Sequence, residues 1–145
     1  MDRLSVRRQY GTPSTLEYDT EKHLVKTKML DEKGRVMGLG VSEYVKGNQV
    51  ENTFYDENNK RFNTTLYTYY TDKENTIGYE NMGMPFMGSN SKNPIRESKN
   101  FNASNPSDTL RNKYNYHFDE KGRISIKATY DKSGRIADST HYSYY

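Results

Sequence analysis

Hydrophobic and polar residues alternate along most of this chain with a period of two, and short polar segments cut the alternation into pieces. Ile124–Tyr130 shows the pattern best, with Ile124, Ile126, Ala128 and Tyr130 set against Ser125, Lys127 and Thr129. That is the period of a half-buried β-strand, about 23 Å long at ~3.3 Å per residue. "LRNKYNYHF", "RISIKATY" and "RIADSTHYSYY" predict a three-strand meander that ends inside a strand on Tyr144 and Tyr145. From Leu16 to about Tyr70 strands again alternate with turn signals, and "LYTYYTDKENTIGY" continues as a hairpin. No amphipathic helix is found. The pattern predicts an all-β antiparallel meander of about 8–10 strands, forming a curved sheet or half-open barrel.

The cuts in the pattern share a spelling. "DEKGR" occurs at Asp31–Arg35 and again at Asp119–Arg123, and "DKSGR" follows at Asp131–Arg135. In a tight hairpin loop Asp is favoured first, because its carboxylate accepts a bond from a backbone N–H two residues on. Gly then supplies the left-handed conformation in which a Cβ would be strained. Asp31, Gly34, Asp119, Gly122, Asp131 and Gly134 are therefore read as structural turn residues. A calcium loop also uses Asp and Gly, but it needs oxygen ligands where this motif has Lys and Arg. "DTEKH" at Asp19, "VKGNQV" around Gly47 and "YDENNKRF" around Asn58–Asn59 read as further turns.

Residues 1–15 read as a polar leader and residues 16–145 as a single domain. Residues 80–108 interrupt it: they hold three of the four Pro and are dense in Asn, Ser and Gly, so they are expected to form one long loop. Inside it "MGMPFMG" is conspicuously apolar. Met84, Phe86 and Met87 are expected either to plug the open side of the sheet or to form an adaptable contact for a partner.

Composition narrows the picture. Leu, Ile, Val and Phe make up 23 of 145 residues, a thin supply for a core. Against disorder stand a net charge of only +3 and 14 Tyr, whose rings can cover a sheet while their hydroxyls stay hydrogen-bonded. Cys is absent, which excludes disulfides, zinc–thiolate sites and a Cys nucleophile together. No apolar run reaches the ~20 residues of a membrane helix, and "MDRLSVRRQYG" lacks the apolar core of a signal peptide. Basic and acidic residues are interleaved, with "SVRR" the one basic knot, so nucleic acid is not an expected partner.

Candidate chemistry is sparse. His117 and His141 sit on strands separated by Ile124–Tyr130, which sets them roughly 10 Å apart, too far to share zinc; all three His, including His23, are expected to be exposed sheet residues. "SNSK" at Ser89–Lys92 has the Ser-x-x-Lys spacing of penicillin-binding enzymes without its helix or companion motifs, so it reads as loop. The carboxylates Asp19, Asp31, Asp56, Asp119 and Asp131 all sit at turns, where solvation opposes the raised pKa that a general acid needs. The Tyr residues of "LYTYY", "YNYHF" and "HYSYY" form core if they face inward and a binding platform if they face outward. Tyr67, Tyr69, Tyr114, Tyr116, Tyr142 and Tyr144, with Met84, Phe86 and Met87, are the candidate binding surface. No catalytic, cofactor or metal residue is assigned.

"YDENNKRF", then "YTYY", "MPFMGSNSKNPIRES", "YNYHFDEKGRI" and a closing "YSYY" resemble an uncharacterised Tyr-rich domain of lipoproteins in gut Bacteroidetes. The resemblance spans roughly residues 16–145 and is strongest over 84–145. It implies an all-β curved sheet in the cell envelope or secreted, with an export signal and lipid-anchor Cys upstream of Met1; the alternative is a cytoplasmic protein. It implies no enzymatic activity. The expected role is a non-catalytic binding or structural module whose ligand is a glycan or a protein surface. The rivals are an immunity-type inhibitor that binds a protein and, third, a hydrolase using turn carboxylates. A monomer, or a weak homo-oligomer through edge strands, is expected.

Overall fold

A computed structural model describes residues 5–9, 12–78 and 84–145, with side chains described from Pro13 onward. The chain forms one antiparallel sheet of ten strands in strict sequence order. They are β1 (Ser5–Gln9), β2 (Thr12–Tyr18), β3 (Leu24–Leu30), β4 (Val36–Val45), β5 (Asn48–Asp56), β6 (Arg61–Tyr69), β7 (Ile95–Asn102), β8 (Asn105–Phe118), β9 (Ile124–Tyr130) and β10 (Ile136–His141). β1 and β10 each have a single neighbour, so the curved sheet stays open. The expected all-β meander is what forms.

Several boundaries differ from the expectation. β1 pairs with β2 across residues read as a leader, because backbone pairing asks only for an extended chain and a partner, not for apolar side chains. The long connection runs over 70–94 rather than 80–108, since Ile95–Asn102 is β7 and β8 begins at Asn105. Pro106 is accommodated there because the first part of β8 has a strand on one side only. "LYTYYTDKENTIGY" is not a hairpin: β6 stops at Tyr69 and the chain leaves the sheet. β10 stops at His141, short of the Tyr144–Tyr145 end.

One turn is built five times. At Asp19, Asp31, Asp56, Asp119 and Asp131 the fourth residue donates its N–H to the Asp carbonyl at 2.9–3.1 Å. In each, Asp Oδ1 also accepts the N–H groups two and four residues on. The fourth residue always has positive φ: Gly34 at 77°, Gly122 at 74° and Gly134 at 78°, as their spelling predicts, but also Lys22 at 67° and Asn59 at 59°. After each turn the register skips one residue, respectively Val25, Met37, Phe62, Ser125 and Ala137. Such a bulge moves the next side chains to the other face. Ile124 thus pairs with Phe118 while Ile126 pairs with His117, so the simple alternation read along Ile124–Tyr130 breaks at its first residue. The tight hairpin at Lys46–Gly47 has positive φ at both central residues, 52° and 78°, the two-residue form that matches strand twist.

Following the register across the sheet sorts the side chains by face. Tyr18, Tyr44, Tyr67, Tyr69, Tyr114 and Tyr116 fall on one, with Leu16, Phe54 and Ile124 and a layer of Asn, Ser and Thr. On β4 and β8 this tyrosine face is the more buried one. Gly38 and Gly40 lie on it, and the Phe54 ring lies over Gly40, where an added Cβ would meet it at 3.1 Å. The glycines in "VMGLGV" therefore make room for neighbouring side chains. The apolar core is thin, with only Leu16, Ile124 and Ala128 buried among described apolar residues.

β8 changes partner halfway. Residues Asn105 to Lys113 pair with β7 and Lys113 to Phe118 pair with β9, so Lys113 alone is paired on both sides. The β7-side edge of Tyr114–Phe118 is thereby left to the long connection.

Candidate binding site beneath the long connection

The connection 70–94 is zipped at its neck, where Tyr70 N–H donates to Pro94 O at 3.0 Å and Asn75 N–H to Lys92 O at 2.9 Å. It then ties itself to the turns at its end of the sheet. Ser89 N–H donates to Lys22 O (2.8 Å), Lys92 N–H donates to Gly47 O (2.8 Å), and Gly88 forms a β-bridge with His23. Asn48 and Asn93, both buried, bond each other twice: the Asn48 amide donates to Asn93 Oδ1 and Asn93 N–H to Asn48 Oδ1, each at 2.9 Å. A polar sequence can hold such a loop because every buried polar side chain among the described residues has a partner.

Met84, Phe86 and Met87 belong to this strap. Pro85–Met87 is a single 3-10 turn, and the three apolar side chains are half-buried. Phe86 O accepts the Tyr18 hydroxyl at 2.5 Å. Met82 and its neighbours in "MGMPFMG" up to residue 83 lie outside the described residues. Ser89 Oγ donates to Glu21 O, and the Lys92 stem rests on Gly47, so "SNSK" is loop scaffolding.

The candidate tyrosines come together under the connection, except Tyr67, which lies further along β6 opposite Ser98. Three of their hydroxyls, and that of Tyr70, are spent on the backbone. Tyr69 donates to Gln49 O at 2.6 Å, Tyr70 to Tyr114 O at 3.0 Å, Tyr116 to Ile95 O at 2.9 Å and Tyr144 to Ile124 O at 2.7 Å. Tyr114 shares a hydrogen bond with Ser98 Oγ at 3.1 Å. Burial, followed by the neighbouring tyrosines, pushes the Tyr116 hydroxyl well above its ordinary pKa; burial raises Tyr142 as well. These groups stay neutral, and their rings rather than their hydroxyls are what a ligand would meet.

Between the rings and the loop lies a cavity of about 160 Å³, whose lining includes Gln49, Asn75, Ser91, Tyr116, Lys127 and Tyr142. Lys127 is the residue the sequence pattern hides. It reads as the solvent side of a strand, yet its register partners Tyr116 and Thr140 put it on the tyrosine face, and its Nζ stands 4.9 Å from the Tyr114 ring centroid. Burial lowers its pKa, partly countered by the charge of Asp138. A lysine at a period-two position in a Tyr-rich sheet is the only signal that pointed here, and it does not say which face is covered.

The turn carboxylates are all employed as acceptors within their own loops. Bonds from the Arg35 backbone and side chain hold Asp31 below the usual carboxylate pKa, and the Arg123 side chain and backbone do the same for Asp119. Asp131 is lowered by the Ser133 hydroxyl and the Arg135 backbone. At Asp19 burial works upward, but the side-chain and backbone bonds from His23 outweigh it and the pKa falls.

His23 departs from expectation. It is buried at 4% exposure, its Nδ1–H donates to Asp19 Oδ2 at 2.9 Å, and its ring stacks on Tyr44 at 4.3 Å. It occupies the place that Arg holds in three of the other turns and Lys60 in the fourth. His117 and His141 are exposed and flank Ile126 on either side. No group of three metal-ligating side chains exists among the described residues.

In sequence, no family model and no curated protein matches the chain. In fold it is similar to the crystal structures of two porin-like proteins. One, from Bacteroides uniformis, has TM-score 0.51 and 10% identity over 98% of this chain and 77% of that one. The other, from Bacteroides vulgatus, has TM-score 0.57 and 11% identity over 98% and 87%. Likeness at this identity is likeness of fold, an antiparallel meander compatible with a Bacteroidetes β domain. Among the described residues no helix is long and apolar enough to cross a membrane.

Proposed function

We propose that this protein is a non-catalytic binding module of the bacterial cell envelope, and that it holds a glycan on its tyrosine face beneath the long connection. The cavity carries the reading: Tyr116 and Tyr142 line it together with Gln49, Asn75 and Ser91. Stacking surface beside amide and hydroxyl groups suits a sugar ring, which has one apolar face and a polar rim. The envelope address, with a signal and lipid anchor upstream of Met1, rests on the resemblance to Tyr-rich lipoprotein domains and agrees with the Bacteroides origin of the two structural neighbours.

The name porin-like belongs to those neighbours. Here the face opposite the tyrosines carries Glu17 with Lys26 and Lys28 (3.9 and 3.4 Å) and Glu97 with Lys99 and Arg111 (3.5 and 3.1 Å). Ion pairs in mid-sheet sit where a spanning strand needs lipid-facing apolar residues, which favours a module beside the membrane over a pore. Catalysis is not proposed, because the turn carboxylates are bonded to their own loops, and Asp19, Asp31, Asp119 and Asp131 are lowered in pKa. The immunity-type alternative rests on β10, an edge strand whose six residues are all exposed, a ready template for a partner strand.

A glycan array followed by calorimetry on the hits tests the proposal. Saturable binding that weakens about tenfold or more in Tyr142→Ala is expected, since losing a stacked ring removes ~1 kcal/mol or more. Absence of any glycan hit, together with a protein partner whose capture is lost when β10 is altered, would replace this reading with the immunity-type one.

A further inference from the structure

Lys127 is an expensive residue to keep where it is. Its stem lies among Tyr114, Tyr116 and Tyr142, and among the described residues its ammonium has no hydrogen bond and no salt bridge, only the Tyr114 ring at 4.9 Å. Among the described residues the acidic group that acts on it is Asp138, on the exposed edge strand, whose Oδ2 accepts the Thr140 hydroxyl at 3.4 Å. Elsewhere in this molecule half-buried cations are paired: Arg123 with Asp119 at 2.7 Å, and Lys26 and Lys28 with Glu17. A neutral Gln or Met at position 127 would fill the same space without removing a charge from water. A half-buried cation inside a cavity, with no carboxylate bonded to it among the described residues, is what an anionic ligand needs, because desolvation has been met in advance and the ligand supplies the missing charge.

We infer that Lys127 is the anion-recognising residue of the cavity, and that the ligand class is an acidic sugar whose carboxylate bonds the Lys127 ammonium while its ring stacks on Tyr116 or Tyr142. This rests on the glycan reading and narrows it. The 160 Å³ of the cavity suits one ring and not a chain, so a terminal or single uronate unit is the unit recognised.

The test is calorimetry on the whole chain with glucuronate- and galacturonate-containing disaccharides, their neutral counterparts, sodium acetate and inorganic phosphate. Wild type, Lys127→Met and Lys127→Arg are compared, with melting temperatures recorded for each. Lys127→Met is expected to keep or raise the melting temperature, since it removes a buried charge. The wild type is expected to prefer the acidic disaccharide over the neutral one by about tenfold or more, the scale of one charged hydrogen bond. Lys127→Met should abolish that preference, and Lys127→Arg should retain part of it. Equal binding of acidic and neutral sugars by the wild type would overturn the inference and leave the glycan reading standing. Binding of acetate or phosphate without either sugar would overturn the acidic-sugar assignment and the glycan reading together. A preference that survives Lys127→Met would also overturn it, and would move the anion contact to another residue.

Discussion

The turn at Asp19 and the turn at Asp131 have the same backbone and opposite fates. Both begin with an Asp whose Oδ1 accepts two N–H groups, and both put their fourth residue at positive φ. At Asp131–Arg135 that residue is Gly134, the fifth is an exposed Arg, and nothing lies within 4 Å of where a Cβ would stand on Gly134. At Asp19–His23 the fourth residue is Lys22, the fifth is a buried His stacked on Tyr44, and the strap 84–94 is bonded across the top. The lesson is that local code sets the shape of a turn, whereas its value to the fold depends on what crosses it. A lysine tolerates the left-handed conformation here at a cost of ~1 kcal/mol, and the strap bonds to Lys22 and Glu21 help to hold it.

The largest expected effect is at His23. His23→Ala removes a buried ring, its stack on Tyr44 and its bond to Asp19, and is expected to cost about 2–4 kcal/mol in urea unfolding. Arg135→Ala, the matching position in the exposed turn, is expected to stay within ~0.5 kcal/mol. Similar costs at both sites would erase the contrast.

Glycines sharpen the same comparison. Gly88 and Gly134 have φ of 77° and 78°, but a Cβ on Gly88 would run into the Lys22 carbonyl, while on Gly134 it meets open space. Gly134→Ala should cost ~1 kcal/mol, the backbone penalty alone. Gly88→Ala should cost roughly 2–3 kcal/mol, and amide exchange should rise first in residues 84–94 as the strap detaches. A Gly88→Ala variant as stable as Gly134→Ala would mean the strap is not fastened there.

The smallest effect is in acid. Asp19, Asp31, Asp119 and Asp131 all have folded pKa values below the ordinary 3.8. The unfolded chain therefore takes up protons first, and stability present above pH 3.8 is lost as pH falls through the lowered folded values. Unfolding midpoints measured between pH 5 and 2 should fall most steeply below pH 4. Asp131→Asn should flatten that fall only slightly, since its turn is exposed and screened.

The sequence by itself determined the all-β meander class and the Asp turns. Each of these is a short-range matter: Asp and Gly at fixed offsets select a backbone conformation without help from the rest of the chain, so Gly34, Gly122 and Gly134 were legible as they stand. It also led straight to the tyrosines and to the strap residues Met84, Phe86 and Met87. It did not reveal β1 or β7, whose polar strands owe their existence to pairing with neighbours, nor the burial of His23. Only the tertiary structure decided which face each residue occupies. One bulge after every Asp turn flips the period-two pattern, so Ile124 joins the tyrosine face while Ile126 leaves it, and Lys127, which alternation assigns to solvent, ends in a cavity. A period-two pattern fixes the relative sides of neighbours within a strand, but which side is covered depends on register and on a loop folding back from elsewhere in the chain. Those are long-range contacts, and no local stretch of sequence contains them.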